Sequence, residues 1–248
     1  METKKTILIT GGLGFIGSHL AEALKSAYDV TILDNNSNKK VDSVSGCKFI
    51  FADIRTFRTE IKYNYVIHLA AIASISQAFN PELYSVNCAG FENIYHNVLC
   101  EKFIYASSAA AINKLNEYGK MKAHNEHVAS KDLGFRFFNV YGKNDNGVVG
   151  KLFLPGAKLY GGFQTRDFIY IKDVVDFVVK NIDNKGVIEV GTGVETTLYD
   201  LRDIIGADVE YLPTHDCGES KSVCLNPIAY KYSVVAGIYD LKKILTTK

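Results

Sequence analysis

Tyr118 and Lys122 stand four residues apart in a stretch with helical patterning, and Ser107-Ser108-Ala109 follows the strand-like run Phe103-Ile104-Tyr105. A spacing of four puts both side chains on one face of a helix. A phenol is a poor base near neutrality, since its ordinary pKa is about 10. A neighbouring ammonium favours the phenolate, and a serine hydroxyl orients a substrate alcohol. The grouping suits removal of a hydroxyl proton while a redox carrier takes the hydride. Tyr-x-x-x-Lys alone also occurs on solvated helix faces, so the chemistry requires a carrier site elsewhere in the chain.

Thr10-Gly11-Gly12-Leu13-Gly14-Phe15-Ile16-Gly17 supplies one. It follows Thr6-Ile7-Leu8-Ile9, a short apolar run typical of a buried parallel strand, and it opens a helical pattern. The glycines permit a tight turn and let backbone N–H groups approach a pyrophosphate at the positive end of that helix. Asp34 ends the next strand-like run, Val30-Thr31-Ile32-Leu33, where a carboxylate accepts hydrogen bonds from an adenosine ribose. Its charge repels a 2′-phosphate and favours NAD, whereas Lys39 and Lys40 close behind it leave NADP open.

The elements that must position these residues alternate. Strand-like runs fall at 6–10, 29–34, 48–51, 65–69, 102–106, 135–138, 168–171, 187–190 and 208–212, with helical patterns at 15–27, 81–100, 117–132, 172–181 and 197–205. That rhythm predicts an α/β fold, a Rossmann-type, doubly wound, mainly parallel sheet with a small C-terminal substrate-binding lobe. Residues 1–138 are expected to form the dinucleotide-binding domain, its sheet completed by parts of 166–191, with 139–165 and 192–248 as the lobe. Pro81 suits a helix start and Gly134 a helix stop. The 248 residues carry 28 basic and 27 acidic side chains, so no nucleic-acid footprint is visible. Five scattered cysteines lack zinc spacing, and no histidines are paired as ligands, so no metal is expected. Met1 to Lys5 runs into the first strand without an apolar signal region, and no run is long enough to span a bilayer; the expectation is a cytoplasmic protein.

Taken together, these motifs resemble the extended short-chain dehydrogenase/reductase superfamily, in its nucleotide-sugar epimerase and dehydratase branch. The glycine fingerprint, Asp34-Asn35, Ala52-Asp53-Ile54, His68-Leu69-Ala70-Ala71, Asn80-Pro81 with Tyr84 and Asn87, Ser107-Ser108-Ala109, Tyr118 with Lys122, Phe135 to Gly142, Tyr160-Gly161-Gly162 and Arg166 to Tyr170 with Asp173-Val174 carry the likeness. The resemblance implies that Gly11, Gly14 and Gly17 hold the pyrophosphate, with Phe15 and Ile16 donating N–H groups. It places Asp34 and Asn35 at the adenosine ribose, Asp53 and Ile54 at the adenine, and Leu69, Ala70, Ala71 and Asn87 along the cofactor cleft. Tyr118 and Lys122 serve both the nicotinamide ribose and catalysis with Ser108, while Asn139 and Arg166 meet a substrate diphosphate. It also implies a homodimer paired through 81–100, offering Tyr84, Phe91, Ile94 and Val98, and through 117–132, unusually polar for such a seam.

Within that branch, dehydratases carry an Asp-Glu pair just after the strand-end hydroxyl residue, where this chain has Ala109-Ala110. The resemblance therefore implies an NAD(P)-dependent epimerase. UDP-hexose 4-epimerases match best. ADP-heptose 6-epimerases, a nucleotide-sugar reductase or dehydrogenase, and a non-catalytic dinucleotide-binding protein are the alternatives. Three places depart from the family: a short Ser108–Tyr118 connection, a compressed Val148–Lys158 stretch, and Asp216-Cys217 where a phosphate-binding arginine usually precedes Gly218-Glu219. Lys221 is the candidate substitute, as a point charge without Arg's fork.

Overall fold

A computed structural model describes residues 4–73, 81–213 and 220–247. Asn80 and the segment Asp216 to Glu219 lie outside the described residues. The strands are β1 Thr6–Thr10, β2 Asp29–Asp34, β3 Lys48–Phe51, β4 Tyr63–His68, β5 Cys100–Ser108, β6 Leu133–Phe137, β7 Asn139–Tyr141, β8 Ala157–Tyr160, β9 Thr165–Tyr170, β10 Gly186–Val190, β11 Glu195–Thr197, β12 Val209–Leu212 and β13 Lys221–Ser222. The helices are α1 Phe15–Leu24, α2 Pro81–Tyr84, α3 Phe91–Asn97, α4 Ala110–Asn113, α5 Glu117–Val128, α6 Val148–Leu152, α7 Ile171–Lys180, α8 Leu198–Ile205 and α9 Val234–Thr246, with a π-helical stretch at Ser85–Gly90.

The chain divides into two compact units, residues 1–136 with 178–188, and residues 137–177 with 189–248. In the first, a seven-stranded sheet runs in the order β10-β6-β5-β4-β1-β2-β3. The pairs from β3 to β5 are parallel. Strand order reverses between β1 and β4, and in open parallel sheets ligands bind beyond the strand ends at such a point. β1 and β4 are buried as near-continuous apolar strands, and the His68, Phe91, Phe103 and Tyr105 rings pack edge-on or stacked beneath them. α1 turns Gly17, Leu20, Ala21 and Leu24 inward.

In the second unit β9 is the spine: β7 and β13 pair with it in parallel and β11 antiparallel. β8 and β12 form a separate parallel pair.

Two sequence expectations need correction. Gly134 does not stop a helix; α5 ends at Val128, and Gly134 lies in β6, where a Cβ would stand 2.5 Å from the Tyr105 ring. The 81–100 stretch is not one regular helix but α2, a π-helical turn and α3. Phe91, Ile94 and Val98, offered for a dimer seam, are at most 3% exposed and belong to this unit's own core. Tyr84 is the exposed member of that set.

Candidate active site

The carboxyl ends of β1, β2, β4 and β5 gather the first unit's candidate residues at one edge of the sheet. Gly11 has φ +68°, and its N–H donates to the Leu33 carbonyl at 2.8 Å. A Cβ on Gly11 would stand 2.7 Å from the Ala70 nitrogen, so only glycine lets this turn lie against the Leu69–Ala70 backbone. Gly17 is equally obligatory, since its Cβ would meet the Gly11 carbonyl oxygen at 2.2 Å. Gly14 caps α1 without any side chain, and a Cβ on it would meet nothing nearer than the Gly11 oxygen at 3.1 Å. The first-turn N–H groups of Phe15 and Ile16 thus sit at the positive end of α1, with no side chain at Gly14 to screen them. This cradle fits a pyrophosphate.

Asp34 is 8% exposed and fastens the glycine turn to β2. One carboxylate oxygen accepts from the Leu13 N–H at 3.1 Å and the other from the Asn36 N–H at 2.8 Å. Asn35 and Asp53 lie within 3.5 Å of each other, and Arg55 holds Asp53 at 2.6 Å, which keeps that carboxyl below its usual range. Ile54 is a core residue packed on Gly90. Lys39 is paired with Asp42, and Lys40 with the Asn38 side chain.

Asn87 is 2% exposed and sits in the π-helical stretch. Its amide brackets Ile72, accepting from the Ile72 N–H at 2.8 Å and donating to the Ile72 carbonyl at 3.0 Å. It therefore shapes the loop that continues from Leu69, Ala70 and Ala71. Asn125 of α5 donates to the Asn87 carbonyl at 2.9 Å, tying that loop's support to the helix that carries Tyr118 and Lys122. Neither link was legible from spacing.

Ser108 ends β5, where its hydroxyl acts on the Tyr118 phenol. It also accepts from the Ala110 N–H at 3.2 Å. α4 is the short Ser108–Tyr118 connection, folded as a single turn. Asn116 caps α5 by accepting from the Gly119 N–H at 2.8 Å. Lys122, 3% exposed, donates to the Ala106 carbonyl at 2.9 Å, and its ammonium lies 5.7 Å from the Tyr118 ring centroid. The three residues read as catalytic from the sequence are thus brought together. Burial lowers the Lys122 pKa to about 8 and raises that of Tyr118 to about 12, with the Ser108 hydroxyl opposing the latter shift. A groove of about 460 Å³ lined by Ala111, Lys114, Glu126 and Arg136 among others contains none of the three and is not this site.

In the second unit, Asn139, Arg166 and Lys221 sit on neighbouring strands. Asn139 pairs with Phe168 across β7–β9, and Lys221 with Thr165 across β13–β9. Asn139 approaches the Asp167 carbonyl at 3.4 Å, and Arg166 donates to the Thr165 carbonyl at 2.8 Å. Lys221 is exposed and makes a short ion pair with Glu195, so its charge is already engaged. Asp167 is fully buried, accepting from the Thr192 N–H and hydroxyl and from the Gly193 and Cys224 N–H groups. Among the described residues no group of three or more His, Cys, Asp or Glu side chains could hold a metal, and no helix is long and apolar enough to cross a membrane.

Residues 7–133 match the model of the NAD dependent epimerase/dehydratase family. A putative UDP-glucose 4-epimerase of Methanocaldococcus jannaschii is 31% identical over 253 residues, covering 83% of each chain. A probable UDP-arabinose 4-epimerase of Arabidopsis thaliana is 27% identical, covering 75% of this chain and 64% of its own length. The UDP-N-acetylglucosamine 4-epimerase of Methanobrevibacter ruminantium, solved with UDP-N-acetylmuramic acid, superposes with a TM-score of 0.81 at 26% identity, covering 98% of this chain and 99% of that one. With its glycine cradle and its Ser-Tyr-Lys grouping at the matched strand ends, the chain belongs to the NAD-dependent epimerase/dehydratase family.

Proposed function

We propose that this protein is a UDP-hexose 4-epimerase that uses NAD. The carrying observation is the buried Lys122 ammonium, held by the Ala106 carbonyl and facing the Tyr118 ring at 5.7 Å beside the Ser108 strand end, while Ala109-Ala110 occupies the place of a dehydratase's acid pair. Relatives named as 4-epimerases of UDP-sugars support the substrate class.

NAD, when bound, would supply the hydride acceptor and donor that the sugar carbon needs. Tyr118 takes the proton of the sugar hydroxyl and gives it back after the ketone has turned, and Ser108 orients that oxygen. The Lys122 ammonium lowers the cost of the phenolate electrostatically. With no acid at Ala109-Ala110, nothing in that segment protonates a departing hydroxyl, so water is retained. The Asp34 carboxylate and the engagement of Lys39 and Lys40 with their own neighbours favour NAD over a 2′-phosphorylated carrier. Gly11, Gly14, Gly17, Phe15 and Ile16 hold the pyrophosphate. Asn35 and Asp53, beside Asp34, take the adenosine end. Arg166, with its planar fork, and Asn139 take the substrate diphosphate. Lys221 joins them only by releasing Glu195.

The test is to incubate the purified protein with UDP-glucose or UDP-galactose and follow the sugar by NMR while recording absorbance at the nicotinamide band. Interconversion without net absorbance change is expected, with near-stoichiometric NAD in the denatured supernatant. Net consumption of reduced or oxidised carrier would identify a reductase or dehydrogenase instead. Tyr118→Phe keeps the ring and the carrier but should lose at least about a hundredfold in kcat, in the range of lost acid–base catalysis.

A further inference from the structure

Glu126 lies one helical turn beyond Lys122 on α5 and points into the protein, its side chain 12% exposed. One carboxylate oxygen accepts from the Ser107 hydroxyl at 2.5 Å and from Arg136 Nε at 2.8 Å, and the other accepts from Arg136 Nη2 at 2.7 Å. Ser107, 3% exposed, directly precedes Ser108 at the end of β5. Arg136 is on β6, the neighbour of β5 in the sheet. One carboxylate therefore joins the helix that carries Tyr118 and Lys122, the strand end that carries Ser108, and the next strand. A fork-on-carboxylate pair with a third, hydroxyl donor is more constrained than a surface ion pair, which contributes little.

We infer that Glu126 is a positioning residue for this site: it fixes α5 against the end of β5 so that Tyr118 meets Ser108, and it sets a negative charge one turn from the Lys122 ammonium. This rests on the epimerase reading above. Besides the Ala106 carbonyl of β5, the titratable groups that face Lys122 come from three elements. Cys88 from the π-helical stretch is a neutral thiol with its pKa pushed up to about 11, and His68 from β4 is a neutral imidazole held near about 3. From α5 itself come Tyr118 and Glu126. Cys88 and then Glu126 oppose the effect of burial on Lys122, and Glu126 is the carboxylate of the two. Its own charge is met by Arg136, and Tyr105 also feels both.

The test compares Glu126→Gln, Glu126→Asp and Ser107→Ala in the full chain loaded with NAD. Two readouts are taken: steady-state kinetics, and the pH titration of the Lys122 Cε resonance in ¹³C-lysine-labelled protein, assigned by its loss in Lys122→Arg. Glu126→Gln should lower kcat about tenfold or more with KM little changed, as expected when catalytic groups are misplaced by a fraction of an ångström. It should also move the Lys122 midpoint to lower pH. Glu126→Asp, which keeps the charge, should leave the midpoint near the wild-type value. Ser107→Ala should lower kcat without moving the midpoint.

Wild-type kcat and an unmoved midpoint in Glu126→Gln would overturn the inference. A kcat loss that only tracks the folded fraction, with the midpoint unmoved, would overturn it as well. Should Glu126→Gln fail to fold, wild-type kcat in Ser107→Ala would overturn it. If the wild-type protein turns over no UDP-hexose, the epimerase reading fails, and the Lys122 titration, which needs no substrate, still decides the role of Glu126.

Discussion

Gly119 sits directly against Ala110: a Cβ on Gly119 would stand 2.3 Å from the Ala110 carbonyl oxygen. α4 is thereby seated on the first turn of α5, and the Ala110 N–H donates to the Ser108 hydroxyl. The short Ser108–Tyr118 connection therefore works only with glycine at 119. Gly119→Ala should push α4 off α5 and disturb Ser108, with an overpacking cost of about 1–3 kcal/mol. Urea unfolding should show a lower midpoint, and kcat should fall more than KM rises. An unchanged midpoint together with unchanged kcat would mean that α4 yields freely.

Asp167 supports a second prediction. In Asp167→Asn an amide N–H₂ must face donors that now meet a carboxylate: the Thr192, Gly193 and Cys224 N–H groups and the Thr192 hydroxyl. Losing charge-assisted bonds at a buried site costs about 2–4 kcal/mol. The variant should unfold at clearly lower denaturant, whereas Arg166→Lys on the same strand should leave stability nearly unchanged and raise the KM for the nucleotide sugar. Equal stability in Asp167→Asn and wild type would show that the knot is not needed to hold β9.

The parts of the fold governed by local pattern were legible in the sequence. β1, β2 and β3 match their apolar runs to the residue, and the glycine turn, Asp34, Ser108, Tyr118 and Lys122 were marked by motif. What was missed depends on contacts between distant positions. Gly134 looks like a helix stop, but it is glycine because of the Tyr105 ring, 29 residues earlier. Phe91, Ile94 and Val98 have the spacing of a seam and also that of a core, and periodicity alone does not separate the two. Helix α9 carried a readable signal, since Ser233 caps it at the Ala236 N–H and Val234, Ile238, Leu241 and Leu245 recur at helical spacing. The Glu126 network has no sequence signature beyond a carboxylate four residues after Lys122.

His68 predicts an acid limb in stability. Its Nδ1 meets the Thr10 hydroxyl at 2.9 Å, and burial lowers its pKa to about 3. The unfolded chain, with an ordinary histidine near about 6.5, takes up its proton first as pH falls. The contribution is therefore complete above about 6.5 and is lost as pH descends toward the folded value, by up to about 5 kcal/mol. His68→Gln removes that titration, so it should be less stable at neutral pH but lose stability less steeply on acidification. The check is a set of urea midpoints from pH 7 down to pH 4; parallel slopes for the two proteins would place the acid sensitivity elsewhere.

Lys122 gives the opposite sign on the alkaline side. Its folded pKa of about 8 lies below that of a free lysine, so between those values the unfolded state binds more protons than the native state. Wild-type stability should therefore rise with pH from about 8 toward 10 through this group, by up to about 3 kcal/mol. Lys122→Met removes the buried ammonium and should be stabilised relative to wild type at pH 7, with the advantage shrinking by pH 9.5. Tyr118 acts above that range: its folded pKa of about 12 exceeds that of a free tyrosine, so its contribution is lost as pH climbs past 10, and measurements should stop below it. Urea midpoints at pH 7 and 9.5 for both proteins test the linkage, and a pH-independent difference would mean that Lys122 is better solvated than its 3% exposure suggests. On the epimerase reading the same variant should also lose kcat, because it removes the ammonium that faces the Tyr118 ring.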